Sequence, residues 1–319
     1  MIGVALSTRD LVKRYGRRHA LDGFTLAVPK GAVMGLVGPN GAGKTTWMMS
    51  VAGYLQPSAG TIDILGTGPF NAAIHSGRLS ILPQDSELPL EGTPVDLLFR
   101  YARLQGLSPD KARASVQAAL TEMNLADRVN SSIRSLSHGM RKRVMLAQCF
   151  LGSPEVVLLD EPLNGLDPVE QDRTRRFILS RRGRQTIIIS SHNLNDVEVL
   201  CTHVAFVEKG KVARMATVQA LTQEAGRVEY LLANVSAETR TAVTAACEAA
   251  LPGARFAWHE AADDRAAFVC VYDAAAGNVA TVNRTLLPML LDKVDVLSIA
   301  NGLSLEQAYL RTSAAKCPV

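Results

Sequence analysis

Short apolar runs alternate with longer amphipathic segments over roughly the first two thirds of the chain. Four runs are as long as single strands and lack polar alternation, which is typical of strands buried on both faces of a parallel sheet: residues 32–37, 79–82, 155–159 and 185–190. Other segments space their apolar residues on one helical face: 44–55, 93–105, 109–123 and 137–151. This succession predicts an α/β fold with a parallel central sheet.

Other parts of the chain show different patterns. Residues 4–8, 24–28 and 61–66 are predicted as further strands, and the polar segment 13–18 is predicted as a loop. Beyond residue 220 the order is β-α-β-β-α-β, as in ferredoxin-like domains: 228–234, 237–250, 254–258, 266–271, 277–291 and 294–300. A capping box at Ser304 and Gln307 then predicts a last helix over 305–311.

Length and charge support a boundary between these parts. At 319 residues the chain exceeds an ordinary domain of roughly 100 to 200 residues. Residues 1–220 hold 26 basic and 19 acidic side chains, whereas residues 221–319 hold 8 and 11. We therefore predict a larger domain, 1–220, and a small accessory α+β domain, 221–319, for dimer contacts or regulation.

Composition excludes several classes of protein. Hydrophobic residues make up 47% and charged residues 20% of the chain, which is typical of a folded domain and not of a disordered one. No apolar run approaches the roughly 18 residues that cross a bilayer, and residues 1–10 lack the apolar centre of a signal peptide. The five cysteines form no C-x-x-C pair, so we expect reduced packing thiols in a cytoplasmic protein.

One motif predicts a function. Residues 38–45 match the phosphate-binding pattern G-x-x-x-x-G-K-[ST] between a buried strand and a helix, a context that argues against a chance glycine-rich turn. Its glycines let backbone N–H groups face an anion at the helix N-terminus. Lys44 is predicted to reach the terminal phosphates and Thr45 to hold Mg²⁺. A nucleoside triphosphate is thus expected to bind Gly38, Pro39, Asn40, Gly41, Ala42, Gly43, Lys44, Thr45 and Thr46.

Polar residues also follow the other predicted core strands. Asp160 and Glu161 end one apolar strand, and strand alternation would send their side chains in different directions. We expect Asp160 near Mg²⁺ and Glu161 to orient or deprotonate water. His192 follows the next strand, where ligands of open α/β folds bind, so it is a candidate γ-phosphate contact, although a lone histidine is more often structural. Gln84 offers a neutral amide to Mg²⁺ or to the attacking water.

Three further positions have plausible binding roles. Ser137 is a natural N-cap and Gly139 leaves the first helical turn open, which predicts a second anion site. Asp167 is a plausible cap of the following helix. The ring of Tyr15 could stack on a purine, although an isolated tyrosine is more often a packing residue.

An arginine cluster follows on the helix predicted between two core strands: Arg173, Arg175, Arg176, Arg181, Arg182 and Arg184. Glu170 and Asp172 offset its charge, and Phe177 is the one aromatic residue among the arginines. These features favour a solvated helix over a nucleic-acid surface.

In order and spacing, these motifs resemble the ATP-binding subunit of an ABC transporter over about residues 3–218. The resemblance implies a P-loop NTPase core with an antiparallel β subdomain and a helical subdomain. It implies that residues 38–46 are the Walker A loop, 160–161 the Walker B pair and 136–140 the signature motif. It also implies an adenine-stacking Tyr15, a Q-loop at Gln84, a D-loop at Asp167 and a switch histidine at His192.

The signature motif departs from the family pattern. The family commonly reads Leu-Ser-Gly-Gly-Gln, whereas this chain has His138 and Met140 and retains Leu136, Ser137 and Gly139. The amides and the Ser137 hydroxyl can still meet a γ-phosphate, but a glutamine contact is lost. Related deviations occur in ATPases that serve export permeases, so the resemblance implies export.

The family pattern also implies partners. Two ATP-binding subunits, either two copies or this chain and a paralogous ATPase, would close head to tail around ATP and Mg²⁺. A separate membrane permease would hold them at the cytoplasmic face of the cell membrane. One alternative is a non-transport ATPase of the same family acting on nucleic acid or ribosomes, which usually has a coiled-coil insertion, zinc-type cysteines or two cassettes. Another is a switch that binds ATP without hydrolysis, which needs no water-orienting carboxylate.

Overall fold

The structure, a computed structural model, describes residues 3–222, 226–261, 265–273, 278–302 and 304–307. The chain divides into two compact units, residues 1–216 and 217–319. The strands of the first unit are β1 (Val4–Tyr15), β2 (Arg18–Pro29), β3 (Val33–Val37), β4 (Ala59–Ile64), β5 (Leu79–Leu82), β6 (Val156–Asp160), β7 (Thr186–Ser191), β8 (His203–Glu208) and β9 (Lys211–Thr217). Its α-helices are α1 (Lys44–Val51), α2 (Ala72–His75), α3 (Pro94–Leu104), α4 (Pro109–Glu122), α5 (His138–Cys149), α6 (Pro168–Arg181) and α7 (Leu194–Leu200).

A six-stranded sheet with the order β5-β6-β7-β3-β8-β9 forms the centre of this unit within the described ranges. Neighbouring strands from β5 to β8 pair in parallel. Strands β3, β6 and β7 are buried along their whole length, which explains their unbroken apolar sequences. The predicted α/β fold with a parallel central sheet is therefore confirmed.

A second, antiparallel sheet has the order β2-β1-β4. Strands β1 and β2 continue to a two-residue turn, where Gly16 has a φ of 57°. The expected loop over 13–18 is therefore wrong, because Lys13, Arg14 and Tyr15 pair in the ladder with Leu21, His19 and Arg18. Their polar side chains reflect an exposed hairpin end and not an irregular backbone.

Packing around Trp47 fixes α1 against this antiparallel sheet. The indole is fully buried and stacks on Phe24 with ring centroids 5.5 Å apart. Its N–H donates a 3.1 Å hydrogen bond to Thr8 Oγ1. Helix α1, which follows the phosphate-binding pattern, therefore packs against β1 and β2.

Helices α3 and α4 pack on each other and on α5. Thr93 and Ser108 cap α3 and α4, and each helix has proline at its first position. Ser137 caps α5, because its Oγ accepts a 3.2 Å hydrogen bond from the Met140 N–H. This cap confirms the predicted start of α5.

Most arginines of the cluster on α6 are paired inside the first unit. Arg173 contacts Glu170 at 2.9 Å, Arg176 contacts Asp172 at 2.8 Å and Arg175 contacts Asp196 at 2.7 Å. Arg181 pairs with Glu122, and Arg182 donates to the Leu200 carbonyl oxygen. Intramolecular pairing therefore accounts for this run of basic residues.

The second unit contains α8 (Val218–Thr222), β10 (Gly226–Ala233), α9 (Ala237–Ala250), β11 (Arg255–Ala261), β12 (Arg265–Tyr272), α10 (Val279–Leu291) and β13 (Asp295–Asn301). Its antiparallel sheet has the order β11-β12-β10-β13. Tyr230 and Phe268 pack under α9 and α10 in a core of its own. From β10 onward the element order is that of ferredoxin-like domains.

Reciprocal hydrogen bonds join Ser304 and Gln307 beyond β13. The Gln307 N–H donates to Ser304 Oγ at 3.1 Å, and the Ser304 N–H donates to Gln307 Oε1 at 3.2 Å. This geometry is the capping box that was predicted. Residues 308–311 of the predicted helix lie outside the described residues, as does Gly277 at the predicted start of α10. In the part of the chain that the structure describes, no helix has the length and apolar character of a membrane span.

Candidate active site

The carboxyl ends of four neighbouring parallel strands carry most of the candidate residues. Gln84 follows β5, the two carboxylates lie at the end of β6, His192 follows β7 and the phosphate loop follows β3. Segments that follow adjacent parallel strands meet at one edge of a sheet. One cavity there is lined by residues 40–46, Gln84, Asp160, Glu161, Arg18 and Ala20.

The phosphate loop, residues 38–43, depends on glycine at specific positions. Gly41 and Gly43 have φ values of 80° and 111°, which favour glycine. A Cβ on Gly43 would lie 2.7 Å from the Ala20 carbonyl oxygen, and one on Gly38 would lie 2.2 Å from the Val207 carbonyl oxygen. Helix α1 then begins without a side-chain cap, so an anion in the cavity can bind the amides of its first turn.

Lys44 provides a buried cation in this cavity. Its Nζ donates hydrogen bonds of 2.6 Å to the Gly38 carbonyl oxygen and 3.2 Å to the Pro39 carbonyl oxygen. Burial lowers the pKa of the ammonium group, and the negative charges of Glu161 and Asp160 oppose that shift. The cation thus lies within the electrostatic reach of both carboxylates.

Asp160 has one engaged and one unengaged carboxylate oxygen. The Ser190 hydroxyl donates to Oδ1, whereas Oδ2 is buried with no hydrogen-bond partner among the described residues. A buried carboxylate oxygen without a partner is costly. Thr45 and Gln84 line the same cavity, and hard cations such as Mg²⁺ bind oxygen ligands of these kinds. The donor set therefore fits Mg²⁺.

Glu161 leaves the strand with a left-handed backbone. Its φ of 49° costs a non-glycine residue roughly 1–3 kcal/mol and requires outside restraint. Its N–H donates to Ser190 Oγ at 3.1 Å and to the Ser190 carbonyl oxygen at 3.3 Å. Its carbonyl oxygen accepts a 3.4 Å hydrogen bond from Lys142 Nζ. Strand β6 ends at Asp160, so the predicted strand alternation does not extend to Glu161, and both carboxylates line the same cavity.

Glu161 and His192 contact each other directly. Glu161 Oε1 lies 2.9 Å from His192 Nδ1. The carboxylate is 10% exposed, whereas the imidazole is 63% exposed. The imidazole therefore fixes one carboxylate oxygen and leaves Oε2 available to a water molecule.

Seven predicted residues do not line the cavity of the phosphate loop. Gly38, Pro39 and His192 each contact a residue that lines it, whereas the other four lie elsewhere. Tyr15 is 49% exposed at the end of β1, with Lys13 Nζ 5.3 Å from its ring centroid. Ser137 and Gly139 lie at the start of α5. Asp167 caps α6, because its Oδ1 accepts a 3.0 Å hydrogen bond from the Glu170 N–H.

Arg18, Lys142 and Ser190 contribute to the site but were not predicted. Arg18 lines the cavity from the start of β2. Lys142 and Ser190 hold the backbone of Glu161. A polar Ser190 at the end of an apolar run was a usable signal, whereas Lys142 was hidden in the basic run 141–143. Burial lowers the pKa of Lys142, and Asp160 is the main group that opposes this shift.

The chain is similar to several known proteins. A family model described as "ABC transporter" matches residues 21–164. The Nod factor export ATP-binding protein I of Burkholderia orbicola (strain AU 1054) is 35% identical over 224 residues, which cover 68% of this chain and 73% of that protein. The daunorubicin resistance ATP-binding protein DrrA3 of Streptomyces coeruleorubidus is 34% identical over 239 residues, which cover 73% of this chain and 75% of that protein. A solved structure of the ATP binding subunit of an ABC transporter matches with a TM-score of 0.62 at 27% identity, covering 69% of this chain and 92% of that one.

Proposed function

The chain belongs to the ABC transporter family of ATP-binding proteins, and from this we propose that it hydrolyses ATP to energise export through a separate membrane permease. The matched relatives are named for Nod factor export and for daunorubicin resistance, which favours transport over action on nucleic acid or ribosomes. The observation that carries the proposal is the cavity lined by Lys44, Asp160 and Glu161, in which the Glu161 carboxylate also contacts His192.

Lys44, Thr45 and Asp160 have distinct roles in substrate binding. Lys44 would exchange its two carbonyl partners for phosphate oxygens, a stronger charge-assisted contact. Thr45, Gln84 and the unengaged Oδ2 of Asp160 would hold Mg²⁺. When bound, Mg²⁺ neutralises phosphate charge and orients the terminal phosphate. Tyr15, which is exposed at the end of β1, would stack on the adenine ring.

Glu161 would act on the attacking water. His192 holds Oε1, and Oε2 would accept a proton from a water aligned with the terminal phosphate. Attack by this water breaks the bond between the γ-phosphorus and the bridging oxygen, giving ADP and phosphate. The exposed imidazole of His192 can contact the γ-phosphate while it orients Glu161.

Ser137, Gly139 and Asp167 would serve a second nucleotide. They do not line their own chain's phosphate cavity, but Ser137 and Gly139 form a capped helix N-terminus that favours anions. A second copy or a paralogous ATPase placed head to tail would bring this helix to the other chain's ATP. The permease would hold the dimer at the cytoplasmic face of the membrane, and closure around ATP would drive its movement.

Glu161→Gln tests the assignment of the base. Glutamine keeps the size and one acceptor of the carboxylate but loses its basicity, so Mg-ATP affinity should persist while kcat falls about 10²- to 10⁴-fold. Glu155→Gln is the matched control, because Glu155 lies just before the other end of β6 and pairs with Arg78. Isothermal titration with Mg-ATP and release of phosphate measure the two quantities.

The same variant tests the partners. With hydrolysis slowed, two ATP molecules should trap a closed dimer, which light scattering detects as a doubled mass that depends on Mg-ATP. A full rate of hydrolysis in Glu161→Gln would remove Glu161 from the mechanism and leave His192 as the next candidate. ATPase stimulation by RNA or ribosomes, with no copurifying membrane protein, would contradict the transport function.

A further inference from the structure

Two segments that follow the candidate catalytic residues are connected to each other at a second place. The segment 162–166 follows Glu161, and α7 follows His192. The Glu161–His192 contact joins the two segments at the cavity. Side chains of α6 join them again farther along the chain.

The second connection is a continuous series of hydrogen bonds. Gln171 Nε2 donates to the carbonyl oxygens of Leu166 and Leu163, at 3.1 and 3.4 Å. Gln171 Oε1 accepts a 3.2 Å hydrogen bond from Arg175 Nη2. Arg175 also donates from Nε at 3.0 Å and from Nη2 at 2.7 Å to Asp196 Oδ1. Asp196 is buried in the first turn of α7. The series of hydrogen bonds therefore connects segment 162–166 to α7.

We propose that Gln171, Arg175 and Asp196, here called the α6 bridge, are positioning residues for ATP hydrolysis. They hold segment 162–166 and α7 at the separation that lets Glu161 bond His192. This inference rests on the proposed function, because it assigns a role in the same hydrolytic step.

The strained backbone of Glu161 supports this role. A residue with a φ of 49° keeps that conformation when its surroundings over-determine it. Ser190 and Lys142 restrain Glu161 itself, and Gln171 restrains the carbonyl oxygens of the residues that follow. Loss of the bridge would let this segment relax and would lengthen the contact with His192.

A cavity separates the two segments, so the bridge supplies a restraint that close packing between them does not. A cavity of about 100 Å³ lies between them, lined by Glu161, Leu163, Asn164, His192, Asn193 and Asp196. Close packing normally transmits positional restraint between neighbouring segments, and contacts are lost across a void. The rigid guanidinium fork of Arg175 supplies the restraint across this gap.

Arg175→Leu should lower kcat by about 10- to 100-fold, the effect expected when a reacting group is misplaced by about 1 Å. The dissociation constant for Mg-ATP should not change, because the bridge does not line the cavity of the phosphate loop. Arg176→Leu is the matched control on the same helix: it removes a pair between exposed Arg176 and Asp172, and kcat should stay at the wild-type value. Arg175→Lys, which keeps the charge and one donor, should restore part of the lost rate.

A second measurement separates positioning from stability. In the Glu161→Gln background, Arg175→Leu should cause no further loss of the residual rate, because residues that act through one group are non-additive. Rates are divided by the fraction of chains that bind Mg-ATP, so a fall in folded protein does not count. If Arg175→Leu does not fold, Asp196→Asn replaces it, since the amide keeps the shape of the carboxylate and weakens the bond to Arg175.

Three results would overturn the α6 bridge. Equal kcat in Arg175→Leu and Arg176→Leu would show that the bridge has no role in the reaction. A full additional loss in the Glu161→Gln background would show that it does not act through Glu161. A wild-type chain that binds but never hydrolyses ATP, even with its permease, would overturn the proposed function and the bridge together.

Discussion

At Lys44, burial and neighbouring charge act in opposite directions on one ammonium group. Glu161 and Asp160 favour the charged form of the group, and its Nζ donates to backbone carbonyl oxygens of its own loop. A phosphate group offers it anionic oxygens in place of carbonyl oxygens, so the cost of burying the cation is offset when the ligand binds.

Lys44→Ala should therefore weaken Mg-ATP binding strongly. A hydrogen bond to a charged group contributes about 1.5–3 kcal/mol, which corresponds to roughly a 10- to 150-fold rise in the dissociation constant. Lys30→Ala is the control, because Lys30 is an exposed lysine whose Nζ lies 3.8 Å from Glu155. Fluorescence titration with a labelled ATP analogue measures both variants, and an unchanged affinity in Lys44→Ala would remove the phosphate-loop assignment.

Lys142 predicts a pH dependence of stability. Burial lowers its pKa below the ordinary 10.5, so the unfolded chain binds more protons than the native chain between the lowered pKa and 10.5. The lysine therefore makes the free energy of unfolding rise with pH in that window, by at most about 1.4 kcal/mol per pH unit. Lys142→Met should remove this rise.

Urea unfolding between pH 7 and pH 10 measures the effect of Lys142→Met. The stability of the variant relative to wild type should be highest at neutral pH and should fall as the pH approaches 10.5. The lost contact with the Glu161 carbonyl oxygen adds an offset that does not depend on pH. A constant difference in the free energy of unfolding between the two proteins across this range would show that burial does not lower the pKa of Lys142.

The sequence indicated which side chains would lie at the carboxyl ends of the core strands, but it did not indicate their backbone conformations. Lys44, Asp160 and His192 stand beside apolar runs whose burial was predictable. The left-handed turn at Glu161 was not, because it is set by Ser190 and Lys142, which lie 29 and 19 residues away along the chain. Single-sequence patterns report local preference, and this conformation depends on tertiary contacts.

At the scale of elements, two helix N-termini differ in how tightly glycine is required. Gly43 has a φ of 111° and lies against the Ala20 carbonyl oxygen. Gly139 lies in the first turn of α5, and a Cβ there would meet no atom closer than Leu166 Cδ2 at 3.9 Å. The backbone conformation of the phosphate loop requires glycine at residue 43, whereas the first turn of α5 has free space beside residue 139.

Gly43→Ala should abolish ATP binding, because the methyl group must displace backbone at a φ that disfavours alanine. Gly139→Ala should leave the affinity of a single chain for ATP unchanged, because Gly139 does not line that chain's phosphate cavity. It should stabilise α5 by about 0.5–1 kcal/mol, since alanine is the better helix former. Titration with Mg-ATP and thermal unfolding compare the two variants. Equal affinities would show that the loop adapts to a side chain at residue 43.

Burial alone did not decide which strands were predicted. The partly buried β5 was predicted, whereas β8, which is buried except at its two ends, was missed. The wholly buried β6 and β7 were predicted within about one residue at each end. Strand β9 alternates exposed and half-buried residues at the sheet edge and was not predicted. The extension of β1 through Tyr15 was also missed, because exposed hairpin ends carry the same polar residues as loops.

At the scale of the whole molecule, each unit has a core of its own. One buried cluster draws only on residues before 216, and another only on residues after 226. We therefore propose that the two units are separate domains, in keeping with the change in charge near residue 220. The phosphate loop, the carboxylates and His192 all belong to the first unit.

A fragment of residues 1–216 should therefore fold and bind Mg-ATP with the affinity of the full chain. Circular dichroism and titration test this, with the Lys44→Ala form of the fragment as the control for specific binding. Because the second unit is predicted to serve dimer contacts or regulation, hydrolysis by the fragment at increasing concentration is measured as well. A fragment that is unfolded at 25 °C would contradict two independent domains.

The proposed head-to-tail dimer predicts that two inactive variants complement each other when they are mixed. Lys44→Ala damages the phosphate loop of its own chain. A Cβ at residue 139 meets no atom closer than 3.9 Å. Gly139→Asp places a carboxylate at a helix N-terminus, which favours the helix but should repel the phosphate of a partner's ATP. Each variant alone should be inactive, because both sites of its homodimer carry the same defect.

Mixing the two variants should restore hydrolysis. About half of the dimers would then be mixed, and each would contain one site with an intact phosphate loop and an intact α5 N-terminus, so roughly a quarter of wild-type activity is expected. Phosphate release is measured for each variant and for the mixture at equal total chain concentration, after incubation long enough for subunits to exchange. An activity equal to the mean of the two separate variants would mean that Ser137 and Gly139 serve no partner's nucleotide, and the active site would have to be complete within one chain.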